Sequence, residues 1–375
     1  MRICMSPARS VMRTLPAMNP LFNSNRMKLG TFSTNCSYGA TATTAEGGLE
    51  LTWENTRAIA MASDAAGFEA LVPVGRWKGF GGLTDFNGAS FEVFTWAAGL
   101  AEATSYSAVL ATSHVPVVHP LVSAKQGSTI DHISSGRFAL NVVCGWNPDE
   151  FAMFGSGALR SHDEGYAYAD EWIQILRRLW TSEDEFDFTG DFFEMSGGIS
   201  RPRPVQRPHP PIMSANNSEI GQRFAAKYAD LSFIGIRAGG EGDWKRLIDG
   251  HKRLAREEFG RELQVWTHAS VICRPTRQEA EQAYQYIAVE RGDTEGDPIR
   301  RMNRPVPPNA LRRIPGWGGF PLIGTPESIV DDLEALSSAG IAGCLLSWVD
   351  YENEQRQWIE QVLPLMEQAG LRRPF

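Results

Sequence analysis

Four stretches of the chain carry side chains whose types and spacing could do chemistry. In the apolar run Ser107–Val115, polar residues gather at the end, and period-two alternation puts Thr112 and His114 on one face. A hydroxyl that both donates and accepts, beside an imidazole that titrates near neutrality, could bind a carbonyl or ring nitrogen or move a proton. Arg137–Gly145 reads as a strand buried on both faces, interrupted by Asn141. A carboxamide there must find partners or cost about 1–3 kcal/mol. Trp146 follows where that strand should stop, and Pro148, Asp149 and Glu150 open a loop. Val72–Gly82 begins as a strand and becomes a glycine-rich loop carrying Arg76, Trp77, Lys78 and Phe80, in which the backbone can approach a flat ligand closely. It is neither GxGxxG nor a P-loop. Ser214–Gly221 is a turn into a helix, where free N–H groups beside the Ser218 hydroxyl suit a phosphate. An ordinary N-cap by Asn217 or Ser218 is the alternative there. No His/Asp/Glu cluster has metal-ligand spacing and no GxSxG elbow occurs.

Positioning these groups falls to an alternation of strand and helix that runs the length of the chain. β-rich apolar runs fall at Met27–Ser33, Phe68–Val74, Ser107–Val115, Arg137–Gly145, Pro211–Ala215, Leu231–Ile236, Val265–Cys273 and Gly343–Trp348. Helical patterns separate them, and a final helix is expected from about Asn353 to Ala369. Eight strands each followed by a helix predict a (β/α)8 barrel, with polar inward-facing residues at the strands' C-terminal ends forming the site; an open doubly wound sheet would normally use fewer strands. Two segments break the alternation: about 183–210, a loop or short hairpin, and about 292–324, rich in Arg, Pro and Gly and a candidate lid. The domain reading is one barrel over residues 27–375 preceded by a flexible extension, residues 1–26, in which arginines occur and no acid precedes Glu46.

Bulk properties narrow the class. With 42% hydrophobic and 21% charged residues, the 375-residue chain can bury a sizeable core. A formal charge of -8 without a basic stripe argues against a nucleic-acid surface, and no apolar run is long enough to span a membrane. The five cysteines lack CxxC spacing, which fits a reducing cytoplasm.

The run IDHISSGRFALNVVCGW, with GFGG after the second strand and the Ser218 turn, resembles the bacterial luciferase-like flavin monooxygenases, in particular their reduced-FMN-dependent branch. The similarity covers roughly Met27 to Ala369 and is densest from Phe68 to Gly155. The resemblance implies a (β/α)8 barrel and a two-component enzyme. Reduced FMN, delivered by a separate NAD(P)H-dependent flavin reductase, would meet dioxygen in the barrel mouth and oxygenate a small N-heterocycle, amide or sulfone. It further implies flavin contacts at Val74, Gly75, Arg76, Asn141, Glu150 and Tyr166, and a phosphate contact at Ser218. Thr112 and Asn141 would hold dioxygen, Trp146 would border the substrate, and a cytoplasmic homo-oligomer, dimer or tetramer, is expected. Asn216 and Asn217 replace the family's glycine before the phosphate serine. His114 stands where the pyrimidine-oxidising members have a small residue, and is a catalytic candidate for that reason. Arg76 is the basic residue of a strand-two loop one residue longer than usual. A deazaflavin-dependent oxidoreductase on the same barrel, and a flavin-binding barrel without activity, are the competing readings.

Overall fold

The computed structural model describes residues 19–155, 160–216, 218–236, 241–301 and 312–375. Its strands are β1 (Lys28–Phe32), β2 (Ala70–Val72), β3 (Ala108–His114), β4 (Phe138–Val143), β5 (Phe186–Thr189), β6 (Glu194–Gly198), β7 (Ile212–Ala215), β8 (Leu231–Phe233), β9 (Gln264–Cys273), β10 (Phe320–Gly324) and β11 (Gly343–Ser347). Parallel pairing runs β1-β2-β3-β4-β7-β8-β9-β11, and β11 pairs back onto β1, which closes an eight-stranded barrel. Seven of those eight strands fall within the runs expected from the sequence, and β9 starts one residue before its run, at Gln264.

Alternation sorts each strand into two faces. Ala70 and Val72, Ala108 and Leu110, Ala139, Met213, Leu231, Trp266 and Leu345 pack together inside the barrel. Their neighbours Val109, Ala111, Phe138, Leu140 and Val142 pack outward against the helices Val93–Ala103, Pro120–Ile133 and His162–Thr181. A strand so enclosed has no solvated face, which is why these runs read as continuously apolar. The interior is a packed core, and in a barrel of this kind the site lies at the mouth formed by the loops after the strands.

Three features go beyond the plain alternation. Segment 183–210 contains the antiparallel hairpin β5–β6. In the second segment, β10 adds a ninth parallel strand, pairing with Ala269–Cys273 at the upper end of β9. Residues 302–311 of that segment lie outside the described residues, as do residues 1–18 of the N-terminal extension. Residues 19–26, by contrast, are built into the barrel floor. Leu21 is fully buried among the interior side chains, and its carbonyl accepts from Gln264 Nε2 at 2.9 Å. Among the described residues no helix is long and apolar enough to cross a membrane.

Candidate active site

The floor of the mouth is built by β3 and β4. Their register sets Thr112 beside Asn141, and Asn141 Nδ2 donates to Thr112 Oγ1 at 3.2 Å. The Thr112 hydroxyl donates in turn to the Pro73 carbonyl at 2.8 Å, tying the floor to the end of β2. Asn141 Oδ1 is buried and has no partner among the described residues. One pleat further on, His114 faces the same space, as its spacing from Thr112 predicts. Gly75 lets the chain pass above these two residues. A Cβ there would lie 2.8 Å from His114 Cε1 and 3.2 Å from Thr112 Cγ2.

Trp77, exposed in part at the rim, donates its indole N–H to His114 Nδ1 at 3.0 Å. Phe151 meets the imidazole edge-on at 5.5 Å. Burial, reinforced by the nearby Arg76 guanidinium, pushes the His114 pKa down to about 3. The imidazole is therefore neutral near pH 7, and the proton-transfer role considered for it gives way to a hydrogen-bonding one.

The rim is organised by a buried ion pair. Arg76 Nε donates to Glu150 Oε1 at 2.9 Å, Nη2 pairs with Oε2, and the Trp77 backbone N–H adds a third bond to Oε1 at 2.5 Å. Both side chains are excluded from water. Glu150, expected as a flavin contact, thus has both oxygens engaged within the chain, and anchors the strand-two loop. The Arg76 guanidinium lies 4.8 Å from the Phe80 ring, 5.5 Å from Trp317 and 5.9 Å from Trp146, within the reach of cation–π attraction. Its Nη1 is buried without a partner among the described residues. Trp146 stands at the rim, 39% exposed and parallel to Phe80 at 5.9 Å. The turn that puts it there needs Gly145, whose φ is 78° and whose Cβ would lie 2.3 Å from Phe151 Cζ.

Across the mouth, the helix Glu219–Tyr228 begins at Ser218, whose hydroxyl accepts from Gly221 N at 3.2 Å. Tyr166 reaches the same helix end. A Cβ on Gly221 would lie 2.4 Å from its hydroxyl, and burial pushes that hydroxyl up to about 12, against a hydrogen bond with Ser218. It stays protonated and able to donate. Asn217 lies outside the described residues. Asn216 donates to Ser214 O and Ser232 Oγ, both at 3.1 Å, and its Oδ1 is buried without a partner among the described residues.

Reasoning from sequence passed over His268 and Trp317. His268 follows Trp266 by one pleat of β9, bonds Ser347 Oγ through Nε2 at 2.7 Å and meets Phe32 at 4.8 Å with the rings tilted by 49°. The alternation used for Thr112 and His114 would have found it. Trp317 sits in the irregular segment before β10, where no period signals its direction.

This barrel mouth, with a polar floor and an aromatic rim, matches a known family over most of the chain. Residues 27–343 match the luciferase-like monooxygenases. The chain belongs to that family. Among relatives of this monooxygenase, the pyrimidine monooxygenase RutA of Allorhizobium ampelinum is 29% identical over 365 residues, spanning 90% of this chain and 96% of the relative. An FMNH2-dependent dimethylsulfone monooxygenase of Pseudomonas fluorescens is 30% identical over 326 residues, 83% of this chain and 86% of that one. A riboflavin lyase solved with modified FMN and riboflavin superposes with a TM-score of 0.79 at 20% identity, covering 93% of each chain. That last likeness is one of fold.

Proposed function

We propose that this luciferase-like monooxygenase is the oxygenase half of a two-component system, using reduced FMN from a separate NAD(P)H-dependent reductase. Its substrate is a small N-heterocycle, amide or sulfone. One observation carries the cofactor reading. Two buried side-chain atoms at one mouth, Asn141 Oδ1 and Arg76 Nη1, have no partner among the described residues. Leaving a buried polar group unpaired costs about 1–3 kcal/mol, so an acceptor and a donor left open together point to a ligand that supplies both kinds of partner. A flavin ring bears both along one edge, and its phosphate suits the helix end at Ser218 with the Tyr166 hydroxyl.

In this reading Ser218, Tyr166 and the free N–H groups of the helix Glu219–Tyr228 hold the phosphate. Val74, Gly75 and Arg76 flank the ring, and Asn141 meets its polar edge. Bound reduced FMN supplies the two electrons with which dioxygen is activated, one oxygen atom going to the product. The chain's part is to orient and to exclude water. Asn141 keeps a second amide N–H beyond the one given to Thr112, and that donor is pre-organised for an oxygen species held over the floor. The aromatic rim of Trp77, Phe80, Trp146 and Trp317 shields it from solvent.

The test is an anaerobic titration of reduced FMN into wild-type protein and into Ser218→Ala and Asn141→Ala. Each substitution is expected to weaken binding about tenfold, the order of one charge-assisted or buried hydrogen bond, while circular dichroism stays unchanged. Unaltered affinity in both variants would move the flavin out of this mouth.

A further inference from the structure

His114 stands beside Thr112 at the mouth of the barrel, and its surroundings define what it can do. Its Nδ1 is occupied by the Trp77 indole N–H at 3.0 Å. An indole nitrogen only donates, so Nδ1 must be the bare, accepting nitrogen, and the ring proton resides on Nε2. Trp77 is itself fixed, because its backbone N–H is bound to Glu150 Oε1, the oxygen that also takes Arg76 Nε. A chain of contacts thus runs from a fully buried carboxylate to the imidazole. Among the described residues His114 makes no other hydrogen bond. The ring borders a small cavity whose wall includes Gly75, Arg76, Trp77, Val93 and Thr112. A side chain this buried rarely leaves a strong donor unmet unless something else comes to meet it.

We infer that His114 is the specificity-determining residue of this active site, with Trp77 as its positioning partner: the indole fixes the imidazole so that Nε2–H donates to an acceptor atom of the substrate. The substrate must then present a carbonyl, sulfonyl or bare ring-nitrogen acceptor toward β3, and a compound offering only an N–H or O–H there is rejected. Rejection is strong because a donor facing a donor leaves both unpaired. The neutral ring seals the cavity without bringing a second positive charge beside Arg76, consistent with the downward shift of its pKa. This inference rests on the mouth being the oxygenase site proposed above, but the tautomer and its perturbation can be read without flavin.

The experiment uses full-length protein labelled with 15N-histidine at pH 7, the His114 signal being assigned by its loss in His114→Ala from the seven histidines. Wild type is expected to show a protonated Nε2 and a bare Nδ1. Trp77→Phe, which keeps the ring and removes the donor, is expected to give a mixture of tautomers. Uracil and dimethyl sulfone serve as probes, one offering carbonyl oxygens and the other sulfonyl oxygens, and at least one should move the wild-type Nε2–H resonance. For a probe that wild type turns over, His114→Ala should raise KM about tenfold, the scale of one lost hydrogen bond, with reduced-FMN affinity unchanged. An Nδ1–H tautomer in wild type, an undisturbed tautomer in Trp77→Phe, or a resonance that neither probe moves overturns the inference. Weak reduced-FMN binding with the tautomer and probe response intact would instead count against the flavin reading alone.

Discussion

Arg76 carries a full charge in a place without water, and it is tolerable there because Glu150 meets it through two hydrogen bonds. Ion pairs so buried add little net stability over an apolar pair, but losing one partner strands the other. Glu150→Ala should therefore cost roughly 3–5 kcal/mol, whereas the double variant Arg76→Met/Glu150→Leu should recover a good part of that loss. Urea unfolding of the three proteins decides it, and equal loss in the single and double variants would show that the pair is not what holds the loop. This pair also marks the limit of what single residues reveal in the sequence. Thr112, His114 and Asn141 were legible because alternation within one strand fixes a direction. Glu150 pairs with a residue 74 positions away, through two loops whose proximity exists only once the barrel has closed. Its acidity pointed to a polar role and not to which partner.

The elements around the mouth are held by the irregular segment before β10. Asp293 is buried, and its Oδ2 accepts from Thr84 N and Thr84 Oγ1 at 2.8 Å each, while Oδ1 accepts from Glu295 N at 3.2 Å and Gly296 N at 3.0 Å. Burial pushes this carboxyl up, but the hydrogen bonds outweigh it and the net shift is downward. Trp317 adds a bond from Nε1 to Asn87 Oδ1 at 2.8 Å. The glycine-rich loop 79–88, whose Phe80 flanks Arg76, is thereby clamped to a segment some two hundred residues later. Asp293→Asn replaces one acceptor oxygen by a donor that faces backbone N–H groups, costing about 1–3 kcal/mol locally. Hydrogen exchange in residues 79–88 should rise by one to two orders of magnitude, with the barrel strands unaffected; exchange that stays at the wild-type rate would assign the clamp elsewhere. The eight barrel strands were legible as apolar runs of the right length, and β10 was not. It is five residues long, half-buried in alternation, and follows a glycine-rich turn that masks its start. The role of residues 19–26 was hidden for a different reason. One leucine, Leu21, reaches the barrel floor from a single short turn, Pro20–Phe22, and a segment that short carries no periodic signal.

At the scale of the whole molecule, the barrel encloses imidazoles that it keeps neutral. Burial pushes His114 and His268 down to about 3 and His251 to about 4, the Arg76 charge adding to the effect on His114. In the unfolded chain each would titrate near its ordinary value of roughly 6.5. Between these limits the unfolded state binds more protons than the native one, so stability rises with pH and is lost as pH falls from about 6.5. A histidine held neutral contributes at most about 1.4 kcal/mol per pH unit in that window, and three together amount to roughly 3–4 kcal/mol between pH 7 and 5.5. Asp131 and Glu354, whose carboxyls burial pushes up, work in the opposite direction, because the native state then holds protons the unfolded chain has released. Their opposition grows as pH approaches the carboxylate range, so the histidine effect is cleanest above about pH 5. Urea unfolding at pH 7.0, 6.0 and 5.5 should show the midpoint falling with acid at a constant slope on denaturant. Burial lowers the His209 imidazole pKa too and adds to the same dependence, so His251→Gln, away from the mouth and bonded only to Ser232 Oγ among the described residues, should remove about a quarter to a third of it whatever it does to stability at pH 7. A midpoint that is flat from pH 7.0 to 5.5 would mean that these rings take up protons in the folded barrel, and His114 would then return as a candidate for proton transfer.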